Sequence, residues 1–156
     1  MDTATHQCEA LKRILKRFFL IEEDKGGLLC PFLKERTLER GEVLFREDDP
    51  ADYMAFILEG ALEIKKKTEF VDKHIVLSIL GAGTFVGEIV LFEYENPVRS
   101  ATATALERTQ LALLTKENFE VMSKEQPAVC LRLLKSVLKE VALRLRAVNE
   151  RMASVF

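Results

Sequence analysis

The sequence predicts a mostly β fold, an antiparallel barrel or jelly roll with helices at both ends. Three observations carry this. Short apolar segments separated by Gly or Pro turns recur about every ten residues between Lys34 and Thr115. Helical spacing of apolar residues precedes that region and returns after it. Hydrophobic residues make up 48% of the 156, enough for a real core and too many for a disordered chain.

The elements follow in order. Residues 8–20 read as a helix, with Leu11, Ile14, Leu15 and Phe18 at helical spacing. A turn or short helix follows, broken at Gly26-Gly27 and stopped by Pro31. Thr37, Glu39 and Arg40 surround a turn at Gly41, and Val43–Arg46 is a strand. "EDDPADY" is a turn with Pro50. "YMAFILEGALEIKKK" gives two strands joined at Glu59-Gly60, and "KHIVLSIL" a third. Val98–Thr104 and Thr109–Leu114 are two more. Thr115 is the expected N-cap of a helix, because its hydroxyl can accept from an orphan first-turn N–H. Pro127 opens the last helix, where its missing N–H costs nothing. One domain spans 1–156: N-terminal helices over 1–33, the β region over 34–115, C-terminal helices over 116–156.

Charge and composition exclude several classes. A net charge of −2 gives no electrostatic footprint for nucleic acid. No apolar run reaches the roughly 18 residues of a membrane span. The N-terminus lacks the order of a secretory signal, and three scattered cysteines, Cys8, Cys30 and Cys130, suggest reduced packing thiols in a cytoplasm. His6 and His74 are too isolated for a metal centre, and no nucleophile, base and orienter come together, so neither a cofactor nor an enzyme is expected. Lys65-Lys66-Lys67 reads as a solvated hairpin tip. Phe85 and Phe92 are expected to anchor the segment between them.

The last helix carries a seam. Leu134, Leu138, Val141, Leu145, Val148, Met152 and Val155 follow a 4, 3, 4, 3 spacing. That is the a/d pattern of a two-helix coiled coil, and it predicts a parallel homodimer, the other reading being a helix packed on its own barrel, which needs an apolar stripe too.

"GEIVLFEYENPVRSATATA", Gly87–Ala105, holds the chemistry. Gly87 lets backbone approach a ligand closely, and a short helix beginning at Glu88 directs free N–H groups outward. Arg99 can fork onto a phosphate, ionised Glu88 can accept from a sugar hydroxyl, and the amides of Ser100 and Ala101 can join an anion nest. The small residues after Arg99 leave room for a compact group with one anion and one hydroxyl.

With these residues on the page, the chain resembles the cyclic-nucleotide-binding domains of catabolite activators and protein-kinase regulatory subunits. The resemblance covers roughly 15–150, through "RTLERGEVLFREDDPADYMAFILEGALEI" and "LGAGTFVGEIVLFEYENPVRSATATALERTQLALL". It implies an eight-stranded jelly roll (a double-stranded β-helix barrel) with a long C-terminal helix, and a ligand that is cyclic AMP or cyclic GMP. It implies that Arg99 holds the cyclic phosphate with Ser100 and the amides of Gly87 and Glu88, and that Glu88 holds the ribose 2′-hydroxyl. Gly87, Glu88, Ile89, Arg99, Ser100 and Ala101 are thus the expected binding set. Asp48 stands where the family has a turn glycine, and in the segment that matches the family's phosphate-binding cassette the loop between Glu88 and Arg99, with Glu93 and Glu95, is a residue or two longer than usual. Val148 and Asn149 align with a Thr-Ser pair that touches the adenine in bacterial activators, which adds Asn149 as a base contact. Those activators continue into a DNA-binding domain. This chain is expected to stand alone as a non-enzymatic sensor that signals through its last helix to an unidentified downstream protein. The other reading left open is a scaffold with a degenerate pocket that acts through protein–protein contacts.

Overall fold

A computed structural model describes residues 9, 12, 28–92 and 95–156. The helix expected over 8–20 lies outside them, apart from Glu9 and Lys12, which are helical and paired at 2.9 Å. Eight strands follow: β1 (Leu33–Leu38), β2 (Val43–Phe45), β3 (Tyr53–Glu59), β4 (Ala61–Lys67), β5 (His74–Gly81), β6 (Phe85–Val86), β7 (Thr102–Ala105) and β8 (Thr109–Thr115). They form two four-stranded sheets, ordered β1-β8-β3-β6 and β2-β7-β4-β5, with every pairing antiparallel. The result is a jelly roll of two open sheets, capped by helices α1 (Lys116–Glu125) and α2 (Pro127–Val155).

β3 explains how the layers stack. Its residues alternate faces, as the period of two requires. Met54, Phe56 and Leu58 enter a core beneath the helices, while Ala55 and Ile57 enter a second core between the sheets. Both faces are therefore covered, and the strand reads as a continuous apolar run rather than an alternating one. Phe56 and Phe85 meet edge to face at 6.4 Å in the helix-side core. Each such fully buried side chain contributes about 1.5–3 kcal/mol relative to exposure.

The helices start where the sequence says. Thr115 Oγ1 accepts from the Asn118 N–H at 3.1 Å, and Asn118 Nδ2 donates to the Phe32 carbonyl at 2.9 Å. The cap thus also ties α1 to the entry of β1. Pro127 opens α2, which buries Val129, Cys130, Leu133 and Val137. Leu134 and Val141 pack partly against the same core. Beyond them α2 buries no further apolar side chain: Leu138, Leu145, Met152 and Val155 are all exposed. At 29 residues it is about 43 Å long, more than one side of the β layers can cover.

Several expectations change. β1 was not anticipated as a strand, because it exposes four successive residues and shows no apolar alternation. β6 has only two residues. Pro31 lies in the first turn of a 3₁₀ segment, Cys30–Phe32, rather than ending a helix. The strand expected from Val98 begins at Thr102, since Val98 makes only an isolated bridge to Pro50. Phe92 is half exposed, so Phe85 alone of the two is a buried anchor. Cys30 is disulfide-bonded, which corrects the reading of three reduced thiols. Cys130 is free and buried.

Candidate functional site

The cassette is built from the two ends of its loop. β6 ends at Gly87, which takes φ +79°, a region that only glycine enters at no cost. A 3₁₀ turn, Glu88–Leu91, follows and sinks Val90 and Leu91 into the core. That leaves Glu88 half-buried and Ile89 exposed at the mouth of a hollow.

The far end is clamped by backbone. Arg99 N–H donates to the Asp49 carbonyl at 2.8 Å, and Asp48 N–H donates to the Arg99 carbonyl at 2.8 Å. The clamping turn holds its shape through Asp48 at φ +72°, a left-handed conformation that aspartate tolerates, and through Asp49 Oδ2, which accepts from the Arg46 N–H at 3.0 Å. The side chain of Arg99 is thereby sent inward between two rings. Its guanidinium carbon lies 4.1 Å from the Phe45 centroid and 4.5 Å from that of Tyr53.

The electrostatics of this residue are unusual. Arg99 is 3% exposed, and none of Nε, Nη1 and Nη2 has a hydrogen-bond partner among the described residues. Tyr53 offers the guanidinium its ring, while its hydroxyl donates to the Leu44 carbonyl at 3.3 Å. Burial pushes the Arg99 pKa below its ordinary value, against Tyr53, Asp52 and Asp49, which raise it. A desolvated cation without a hydrogen-bonded acceptor is costly. Two ring faces recover part of that cost.

Arg99 lines a cavity of about 220 Å³ together with Gly87, Glu88, Ile89, Ser100 and Ala101. The structure therefore brings together six of the residues singled out in the sequence. Asn149 is exposed on α2 and does not line the cavity. Phe45, Ile64, Ser78, Leu80 and Val86 complete the wall from both sheets.

Of the lining residues that the sequence does not single out, Arg144 carries the charge. Arg144 reaches from α2 to donate to Thr84 Oγ1 at 2.6 Å and to the Phe85 carbonyl at 2.7 Å. It sits over the Phe85 ring at 4.7 Å, 3.5 Å from Glu140 and 4.0 Å from Glu88. It fastens α2 to β6 beside the cavity and sets a cation opposite Arg99. The 4, 3 seam drew attention to the apolar positions of α2, and nothing local distinguishes Arg144 from Arg146 or Arg151.

A second, apolar groove of about 650 Å³ adjoins the first, between β5 and the outer half of α2. Ser78, Leu80 and Arg144 belong to both. Chemically, the pair of hollows offers a buried cation, a carboxylate acceptor and an adjacent apolar slot.

A Rhodopseudomonas palustris protein with a potassium-channel name is 37% identical over 101 residues, covering 65% of this chain and 23% of its own length. A cyclic nucleotide-gated potassium channel of Rhizobium etli is 30% identical over 107 residues, covering 69% of this chain and 28% of its own. The chain thus spans about a quarter of these two relatives. Among solved structures, a cyclic nucleotide-binding domain from Methylobacillus flagellatus superposes with a TM-score of 0.86 at 22% identity, over 98% of this chain and 86% of that one. Residues 35–126, which include the cassette, the clamping turn and β2–β8, match the cyclic nucleotide-binding domain, and the chain belongs to that family.

Proposed function

We propose that this protein is a non-enzymatic regulatory module that binds a cyclic nucleotide and reports the binding through α2. The observation that carries the reading is Arg99, a buried guanidinium with no hydrogen-bond partner among the described residues, facing a cavity. An anion placed there gains charge-assisted hydrogen bonds already desolvated on the protein side. The cyclic phosphate takes Arg99, with Ser100 and the Gly87 and Ala101 amides beside it, and Glu88 accepts from the ribose 2′-hydroxyl.

Size supports a divided pose. The inner cavity, about 220 Å³, is smaller than the roughly 300–1,000 Å³ of ordinary ligand sites, and suits a sugar phosphate. The base then extends past Ser78 and Leu80 into the apolar groove, with Arg144 at the junction. Asn149 contacts the base only if α2 closes over that groove.

The same geometry supports a route for the signal. Glu88 lies 4.0 Å from Arg144, so a hydroxyl that engages Glu88 competes with the tether of α2. The shift in α2 is limited by the difference in nucleotide affinity between its two positions. Leu138, Leu145, Val148 and Met152, exposed along the seam, then pair with a second copy, while Leu134 and Val141 of the same stripe pack partly on the chain's own core. Such a dimer would be the output surface toward a downstream protein partner.

Calorimetric titration of ligand-stripped protein with cyclic AMP and cyclic GMP tests the reading, with Arg99→Ala as control. Saturable binding abolished in the variant is the expected result. No heat from a folded wild type overturns it in favour of a scaffold.

A further inference from the structure

We infer that Lys66 is a positioning residue for the anion site, although it does not itself line the cavity. This rests on the reading that Arg99 receives a phosphate. Lys66 Nζ donates to the Ser100 carbonyl at 2.7 Å and lies 3.4 Å from Glu47 Oε1. The Glu47 side chain is 11% exposed and that of Lys66 is 49% exposed. Glu47 is held in turn by its own N–H, which donates to Thr102 Oγ1 at 3.0 Å. A chain of contacts therefore runs from β7 through the turn after β2 to β4, and ends on the peptide between Ser100 and Ala101.

The effect of that last contact follows from peptide geometry. In a trans peptide the carbonyl and the next N–H point in opposite directions. A cation that fixes the Ser100 carbonyl on the outer side fixes the Ala101 N–H on the other, and Ala101 lines the cavity. The same contact polarises the peptide and makes that N–H a stronger donor. Lys66 thus aims and strengthens one backbone donor of the anion nest without approaching the ligand. Glu47 restrains the long lysine side chain, which otherwise loses little by swinging into solvent.

The pattern separates Lys66 from its neighbours. Lys65 lies 3.9 Å from Glu63 on its own strand. Lys66 alone of the three lysines contacts the cassette among the described residues. The run is not simply a solvated tip.

The test compares wild type, Arg99→Ala, Lys66→Met and Lys66→Arg by titration with cyclic AMP and cyclic GMP, with the Ala101 amide followed by NMR. Lys66→Met is expected to bind ~5–10-fold more weakly, the effect of losing one polarised hydrogen bond. Its free form is expected to stay folded but to melt somewhat lower, because Glu47 loses its cation, and to show a smaller ligand-induced shift of the Ala101 amide. Lys66→Arg, which can still donate to the carbonyl, is expected to restore both. Equal affinities for Lys66→Met and wild type, with Arg99→Ala inactive, overturn the role of Lys66 and leave the phosphate reading standing. A weaker Lys66→Met whose Ala101 shift is undiminished also overturns it. A wild type silent toward both nucleotides overturns the phosphate reading, and the role of Lys66 with it.

Discussion

A Cβ atom at Gly87 would stand 2.6 Å from Arg99 Nη1, so the backbone of one and the guanidinium of the other occupy adjoining space with none to spare. The same Cβ would lie 3.3 Å from the Tyr53 carbonyl. Gly87→Ala therefore acts twice. It strains a backbone at φ +79°, which costs about 1–2 kcal/mol, and it pushes Arg99 from its place between the rings. The expected outcome is a lower unfolding midpoint together with lost nucleotide affinity. A variant as stable and as tight as wild type would contradict the geometry.

Arg99 predicts a separation of stability from binding. Replacing a buried charge that lacks hydrogen-bonded partners with an apolar residue of similar length is often neutral or stabilising by about 1–4 kcal/mol. Arg99→Met should melt at the same temperature as the ligand-free wild type or higher. It should show no further rise when nucleotide is added. Thermal melts with and without cyclic AMP read both effects at once.

Arg144→Gln should loosen α2 from β6. It removes two hydrogen bonds from a charged donor, to Thr84 and to the Phe85 carbonyl, each worth about 1.5–3 kcal/mol. Hydrogen exchange should quicken along the outer turns of α2 and leave Leu133 and Val137, which are buried, protected. Uniform protection along the helix would show that Arg144 is not its fastening.

The exposed seam of α2 gives a test of assembly. Leu138 and Leu145 are 67% and 59% exposed, so changing both to Asp should alter the stability of a monomer by only about 0.5 kcal/mol per site. In a dimer the same change places charges at the contact. Light scattering should report a dimer for wild type and a monomer for Leu138→Asp/Leu145→Asp. A monomeric wild type at high concentration removes the seam from the mechanism.

Cys130 sets an alkaline limit. Burial, with Glu120 nearby, pushes its thiol above the ordinary value of 9.0. The unfolded thiol therefore loses its proton first. Its contribution to stability is present below pH 9.0 and falls as pH rises through the folded value. Cys130→Ala should flatten that decline in a series of urea titrations, and the native thiol should react slowly with Ellman's reagent at neutral pH.

What could be read in advance depended on how local each cause was. Thr115, Pro127 and the turn at Asp48 act on backbone within a few residues of themselves, so their roles are visible in the chain. The cassette was legible because Gly87–Ala101 is a continuous stretch whose ends fold back on each other. Arg144 and Lys66 were not, since their partners lie 59 and 34 residues away and depend on which faces dock. β1 escaped notice for a related reason. It belongs to the sheet through its pairing with β8, from Leu33↔Leu114 to Leu38↔Thr109, while its own side chains carry little apolar signal. Asn149 is expected at the base only through the family resemblance, and in the structure it is exposed and does not line the cavity.

Ser78, Leu80 and Arg144 line both hollows, so no occupant of one is indifferent to the other. Any surface that settles into the apolar groove along α2 shares these residues with a nucleotide below it. Coupling of this kind is reciprocal: the factor by which the first guest alters the affinity for the second equals the factor by which the second alters the first. If a second copy is the guest, nucleotide affinity becomes a function of protein concentration. The cell could then tune its sensitivity through the abundance of this chain as well as through its cyclic nucleotides.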